Sequence, residues 1–137
     1  MIDKKALDDA LTLLIDKKMT LSKMEYSDEA YDDLEEELHS LEDKFLENFG
    51  DFLEDAFHEV HDEYCPDNEV LLPIAYLPSH PKKTDNGFEV SYDDGVFVEV
   101  DDYDSTQTRL VLLPHPTRII LNVDKNQQEV VWNIESK

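Results

Sequence analysis

His58, His61 and Cys65 stand three and then four residues apart in the run His58-Glu59-Val60-His61-Asp62-Glu63-Tyr64-Cys65. On a helix that spacing puts two imidazoles and a thiol on one side. Imidazole and thiolate together suit zinc. The second histidine comes one residue early for the zinc-protease pattern His-Glu-x-x-His. Three ligands from one helix also need a fourth from elsewhere, and Glu54, His80 and His115 are the candidates. A plainer reading covers the same residues: histidines favoured by the negative end of a helix dipole, and a cysteine that behaves as a small apolar side chain. A metal-binding protein or hydrolase using His58, His61 and Cys65, with zinc the possible metal, is therefore an alternative reading. The main reading expects no cofactor.

The second constellation is acidic. Between Ser27 and Asp43 lie Asp28, Glu29, Asp32, Asp33, Glu35, Glu36, Glu37, Glu42 and Asp43, flanking the apolar residues Tyr31, Leu34, Leu38 and Leu41. Few of these acids have a base three or four residues away, so pairing along the helix cannot neutralise them. Such a run is either a solvated face or a docking surface for a basic protein. The residues expected to meet a partner are Asp32, Asp33, Glu36 and Glu37.

Two further stretches resemble each other: Leu77-Pro78-Ser79-His80-Pro81-Lys82 and Leu113-Pro114-His115-Pro116-Thr117-Arg118. As structure they are proline-stiffened turns at sheet edges. As function they would be paired loops around a small-ligand site, with His80 and His115 on its rim and Tyr76, Tyr92 and Trp132 lining it. Asp101-Asp102-Tyr103-Asp104-Ser105 lacks the glycine of a calcium loop: counted from Asp102, the sixth position is Gln107. It reads as a solvated loop. With only three glycines there is no phosphate cradle, and there is no Gly-x-Ser-x-Gly elbow. Cys65 has acids rather than bases around it, which raises a thiol pKa instead of making a reactive thiolate. No enzyme class is indicated.

The elements that must carry these residues follow from periodicity. Leu7, Ala10, Leu11, Leu14 and Ile15 recur at three and four residues and predict a first helix over about 3–18, capped by Asp3. A second begins at Ser27 as N-cap, with a stripe of Tyr31, Leu34, Leu38, Leu41, Phe45 and Phe49 that runs on through Phe52, Ala56, Val60 and Tyr64. Unbroken, it would be about 57 Å long, against a radius of gyration near ~14 Å for a compact domain of this length. Gly50 as a C′ residue, with Asp51 and Glu54 as a capping box, predicts a break or sharp kink there.

After Cys65-Pro66-Asp67-Asn68 the period changes to two. Val70–Leu77 is an apolar run. Phe88, Val90 and Tyr92 alternate with polar residues, and Asp93-Asp94-Gly95 predicts a hairpin onto Val96, Val98 and Val100. Leu110–Leu113, Ile119–Val123 and Val130–Ile134 complete the set, the last two joined by Asp124-Lys125-Asn126-Gln127. The connections are too short for crossover helices. The expected fold is α+β: two or three N-terminal helices (1–67) packed on a C-terminal antiparallel meander of five or six strands (68–137), in one domain.

The whole chain, 137 residues with 34 acids and 12 bases, has a net charge of −22, of which residues 1–67 hold −16. That charge repels phosphate backbones and anionic lipid, so neither nucleic acid nor membrane is an expected partner. One cysteine forms no internal disulfide, and no apolar run has signal-peptide or membrane-span length. The expected location is the cytoplasm. The chain is similar in size and charge to small acidic bacterial proteins that neutralise basic toxins, and to secretion chaperones. The similarity is one of bulk properties, includes no motif, and transfers no residue. The expectation is a non-enzymatic protein-interaction protein with a basic partner, either monomeric or dimeric through a sheet edge.

Overall fold

A computed structural model of the chain describes residues 3–78, 81–84, 87–92, 94–100, 108–114, 116–124 and 127–136. Two helices, α1 (Lys4–Ser22) and α2 (Tyr31–Tyr64), precede every strand. A 3-10 turn follows at Pro73–Tyr76, then β1 (Lys82–Thr84), β2 (Gly87–Glu89), β3 (Val96–Val98), β4 (Thr108–Leu113), β5 (Arg118–Asp124) and β6 (Gln127–Asn133). The architecture is α+β, as the sequence predicts. His80, His115 and the Asp101–Ser105 loop lie outside the described residues.

α1 starts where the sequence places it. The Asp3 carboxylate accepts from the Ala6 N–H at 3.1 Å and satisfies one orphan donor of the first turn. Leu7, Leu11, Leu14 and Ile15 are buried, so the three-and-four spacing becomes one packed stripe. The helix runs on to Ser22 rather than ending near Lys18, because Leu21 still packs on the core.

α2 departs from expectation at its start and its middle. Ser27 does not cap it. The N-cap is Ala30, without a side-chain hydrogen bond, while the Asp28 carboxylate accepts from the Ala30 N–H at 3.0 Å and sets the preceding turn. Gly50 does not break it: the helix is continuous for 34 residues, about 51 Å at ~1.5 Å per residue. An uninterrupted helix keeps Phe45, Leu53, Ala56, Phe57 and Val60 on one buried face. Each large side chain so buried contributes about 1.5–3 kcal/mol, against about 1 kcal/mol for glycine in a helix interior. The Asp51 and Glu54 cap has no orphan N–H groups to satisfy.

The described residues of the C-terminal half form six strands but not one meander. β3, β4, β5 and β6 form a four-stranded antiparallel sheet in sequence order, and β1 and β2 pair separately. The hairpin predicted at Asp93-Asp94-Gly95, of which Asp93 lies outside the described residues, does not join the expected strands: β2 pairs with β1, and Val96 pairs with Leu110. Gly95 is still required, with φ at +114° and space so tight that a Cβ would lie 2.5 Å from the Leu110 carbonyl oxygen. The Val70–Leu77 run is not a strand. Pro73 opens a 3-10 turn that buries Tyr76.

Register sorts the four-stranded sheet into two faces. Leu110 and Leu121 share one, and so do Leu112, Ile119 and Trp132. This face meets the helices, where the Trp132 ring sits edge-on to Phe52 at 6.0 Å. The other carries Asn122, fully buried, whose amide donates to the Ser91 and Asp94 carbonyls at 3.2 and 2.8 Å. Gln128 donates to the Asn122 side-chain oxygen at 2.7 Å and to the Val90 carbonyl at 3.1 Å. These amides hold the Val90, Ser91 and Asp94 carbonyls over the sheet, which draws the chain after β2 away from a hairpin with β3. α1 is tied to the residue just before β5: the Thr117 hydroxyl donates to the Asp8 carboxylate at 3.1 Å.

Candidate interaction surface

The acidic residues singled out from sequence stand on the first turns of α2. Asp32, Asp33, Glu36 and Glu37 are all exposed, while Leu38, two places after Glu36, is buried. The helical period does this: the apolar residues face α1 and the acids point outward. Glu37 meets Lys17 of α1 at 3.0 Å. Asp32, Asp33 and Glu36 make no salt bridge to any described residue. Three of the four carboxylates are thus uncompensated within the described chain, and the fourth helps fasten the helical pair.

Beside them lies a feature the sequence reading passes over. The rings of Tyr26 and Tyr31 touch, with centroids 4.8 Å apart and planes inclined by 49°. Tyr26 is 86% exposed, the most of any large apolar or aromatic residue described. Tyr31 reads from sequence as part of the apolar stripe and Tyr26 as connection. The available signal was a pair of tyrosines five apart with acids on both sides. The Tyr31 phenol is held above its usual pKa, first by desolvation, then by hydrogen bonding and charge from Tyr26, then by the charges of Glu35 and Asp32. Asp32 follows Tyr31 on α2 and Glu35 stands one helical turn further on, on the Tyr31 side, so both carboxylates neighbour the ring pair.

His58, His61 and Cys65 do not converge as ligands. His58 is exposed, whereas His61 and Cys65 are buried. Both ring nitrogens of His61 are engaged: Nδ1 lies 3.0 Å from the Asn68 carbonyl and Nε2 lies 3.0 Å from the Tyr76 hydroxyl. A carbonyl only accepts, so Nδ1 carries the proton. In the neutral ring Nε2 then accepts from Tyr76, whose oxygen accepts the Leu71 N–H at 3.0 Å. This chain of bonds fastens residues 68–76 to α2 and leaves no lone pair for a metal. Among the described residues no group of three or more His, Cys, Asp or Glu side chains is placed to hold one. The Cys65 thiol is pushed up to about 11, the direction expected, but by burial rather than by neighbouring carboxylates. It is an inert packing group.

The small-ligand reading fares similarly on its described members. Tyr76 is fully buried and stacked on Phe57 at 3.9 Å, Trp132 is buried, and Tyr92 is exposed, so the three do not line a common pocket. A surface pocket of about 490 Å³ does occur beside the turn at Pro116 and Thr117, lined by Lys4, Lys5, Asp8, Pro116, Thr117, Ile134 and Glu135. Its charges are mixed and sit on exposed ends of long side chains, apart from Asp8, which takes the Thr117 hydrogen bond. Arg118 is half-buried below the turn and donates to the Pro114 and Pro116 carbonyls. That bonding makes it a brace for the turn.

Fold and surface together describe an α+β protein whose second helix presents exposed carboxylates on the side away from the core. No family model matches the chain, and comparison with curated proteins and with solved structures gives no match.

Proposed function

We propose that this protein is a non-enzymatic interaction protein that binds a partner protein with a basic surface through the N-terminal half of α2. The observation that carries the reading is the row of exposed carboxylates at Asp32, Asp33 and Glu36, without cationic partners among the described residues, on a helix whose opposite side is already buried against α1. Holding like charges together costs stability, and a cationic surface relieves that cost on binding. Such a partner is drawn in by long-range attraction, so association is fast and salt-sensitive.

The test is capture from native lysate by the full chain at low and at high salt, read by mass spectrometry. A stoichiometric basic partner, retained at low salt and released at high salt, is expected. Reversing Asp32, Asp33, Glu36 and Glu37 to lysine should abolish capture with circular dichroism unchanged. Because Glu37 also pairs with Lys17, the triple reversal that spares it should lose capture as well. Absence of any stoichiometric partner, or a partner indifferent to these reversals, refutes the reading.

A further inference from the structure

Tyr26 sits in the α1–α2 connection with its outer ring face in solvent and its inner side against Tyr31. The connection fixes that placement. The Asp28 N–H donates to the Glu25 carbonyl at 2.9 Å, the Tyr31 N–H to the Asp28 carbonyl at 3.0 Å, and the Ala30 N–H to the Asp28 carboxylate at 3.0 Å. Two consecutive turns thus present the aromatic pair at the start of the acidic face.

An aromatic ring face is electronegative, and carboxylates beside it deepen the potential. An apolar occupant would strip water from Asp32 and Glu35 and leave them unpaired. An anionic occupant would be repelled. A cation satisfies ring and carboxylates together. Arginine fits better than lysine, because its planar guanidinium stacks on a ring face while its N–H groups reach a carboxylate as a fork.

We infer that Tyr26 and Tyr31, with Asp32 and Glu35 beside them, form a receptor for an arginine side chain of an arginine-rich segment on the partner protein. The inference rests on the proposed function above and specifies the residue by which the basic partner is recognised. Tyr26 offers the stacking face, Tyr31 orients it, and the first turn of α2 supplies the charge.

The probe is a short peptide of three arginines separated by glycines, with the matching lysine peptide for comparison, titrated into the full chain at low salt and followed by NMR. The arginine peptide should bind more tightly than the lysine peptide, with the guanidinium-adjacent protons shifted upfield by the tyrosine ring. Tyr26→Ala should weaken the arginine peptide about fivefold, the scale of an exposed cation–π contact, and remove its preference over lysine. Tyr26→Phe, which keeps the ring, should stay within about twofold. Circular dichroism of each variant verifies the fold. If Tyr26→Ala binds both peptides as the native chain does, while the four-charge reversal abolishes binding, the arginine receptor is refuted and the acidic docking face stands. If neither variant weakens the arginine peptide, both fall.

Discussion

Tyr76 makes three kinds of contact at once. Its ring stacks on Phe57, its oxygen takes the Leu71 N–H, and its proton goes to His61 Nε2. Tyr76→Phe preserves the stacking and removes only the oxygen, so it separates polar from apolar contributions. It strands a buried imidazole nitrogen, and the variant should lose about 1–3 kcal/mol in urea unfolding, the usual cost of an orphaned polar group. A midpoint equal to that of the native chain would mean that the bonds of the Tyr76 hydroxyl add no net stability, and that ring packing and the His61–Asn68 bond fasten residues 68–76. The same polar network shows why a metal reading is natural from sequence and fails in space. Spacing places His58, His61 and Cys65 on one helix side, but only tertiary structure reveals that Asn68 and Tyr76 already use both nitrogens of His61.

Glycine tells two different stories at the element scale. Gly50 lies within α2, and a Cβ there would meet Leu46 side-chain atoms at 3.6 and 3.7 Å, ordinary contact distances. Gly50→Ala should therefore stabilise the protein by about 0.5–1 kcal/mol and raise the thermal midpoint by roughly 2–4 °C. Gly95→Ala meets both a positive φ and the Leu110 carbonyl, and should destabilise by more than about 2 kcal/mol. Calorimetry on the two variants reads both signs; a destabilised Gly50→Ala would mean that the helix needs a bend there. The helices were legible because their stripes are local: Leu7, Leu11, Leu14 and Ile15 are enough to place α1 and its buried face. The acidic face was legible for the same reason, since Asp32, Asp33 and Glu36 fall outside the stripe that buries Leu38. The pairing of β2 with β1 was not. A turn signal such as Asp93-Asp94-Gly95 reports backbone conformation, which Gly95 adopts, but not which strand lies alongside. That choice is made by Asn122 and Gln128, some thirty residues on, holding the Val90, Ser91 and Asp94 carbonyls. The contact between Tyr26 and Tyr31 was equally hidden, because it depends on how tightly the α1–α2 turns close.

Charge acts on the molecule as a whole, and it sets folding and binding in opposition. With a net charge of −22, much of it on two packed helices, the native state confines like charges that the unfolded chain spreads apart. Screening relieves that confinement, since the Debye length shortens from about 20 Å near 20 mM salt to about 4 Å near 500 mM. Sodium chloride over this range should raise the thermal midpoint of the free protein. Over the same range the affinity for a basic partner should fall by about tenfold or more, because the attraction that is screened is the one that binds. The triple reversal of Asp32, Asp33 and Glu36, which spares the pairing of Glu37 with Lys17, tests whether one set of carboxylates underlies both effects. It lowers the repulsion on that helix, so its midpoint at low salt should exceed that of the native chain and its gain on adding salt should be smaller. Differential scanning calorimetry across the salt series, on native and reversed chains, measures this directly. A reversed chain with an undiminished salt gain would place the repulsion elsewhere and separate the acidic face from the protein's stability. The expected result ties the two together: the carboxylates that make the free helix pair less stable are the ones that a cationic surface would relieve.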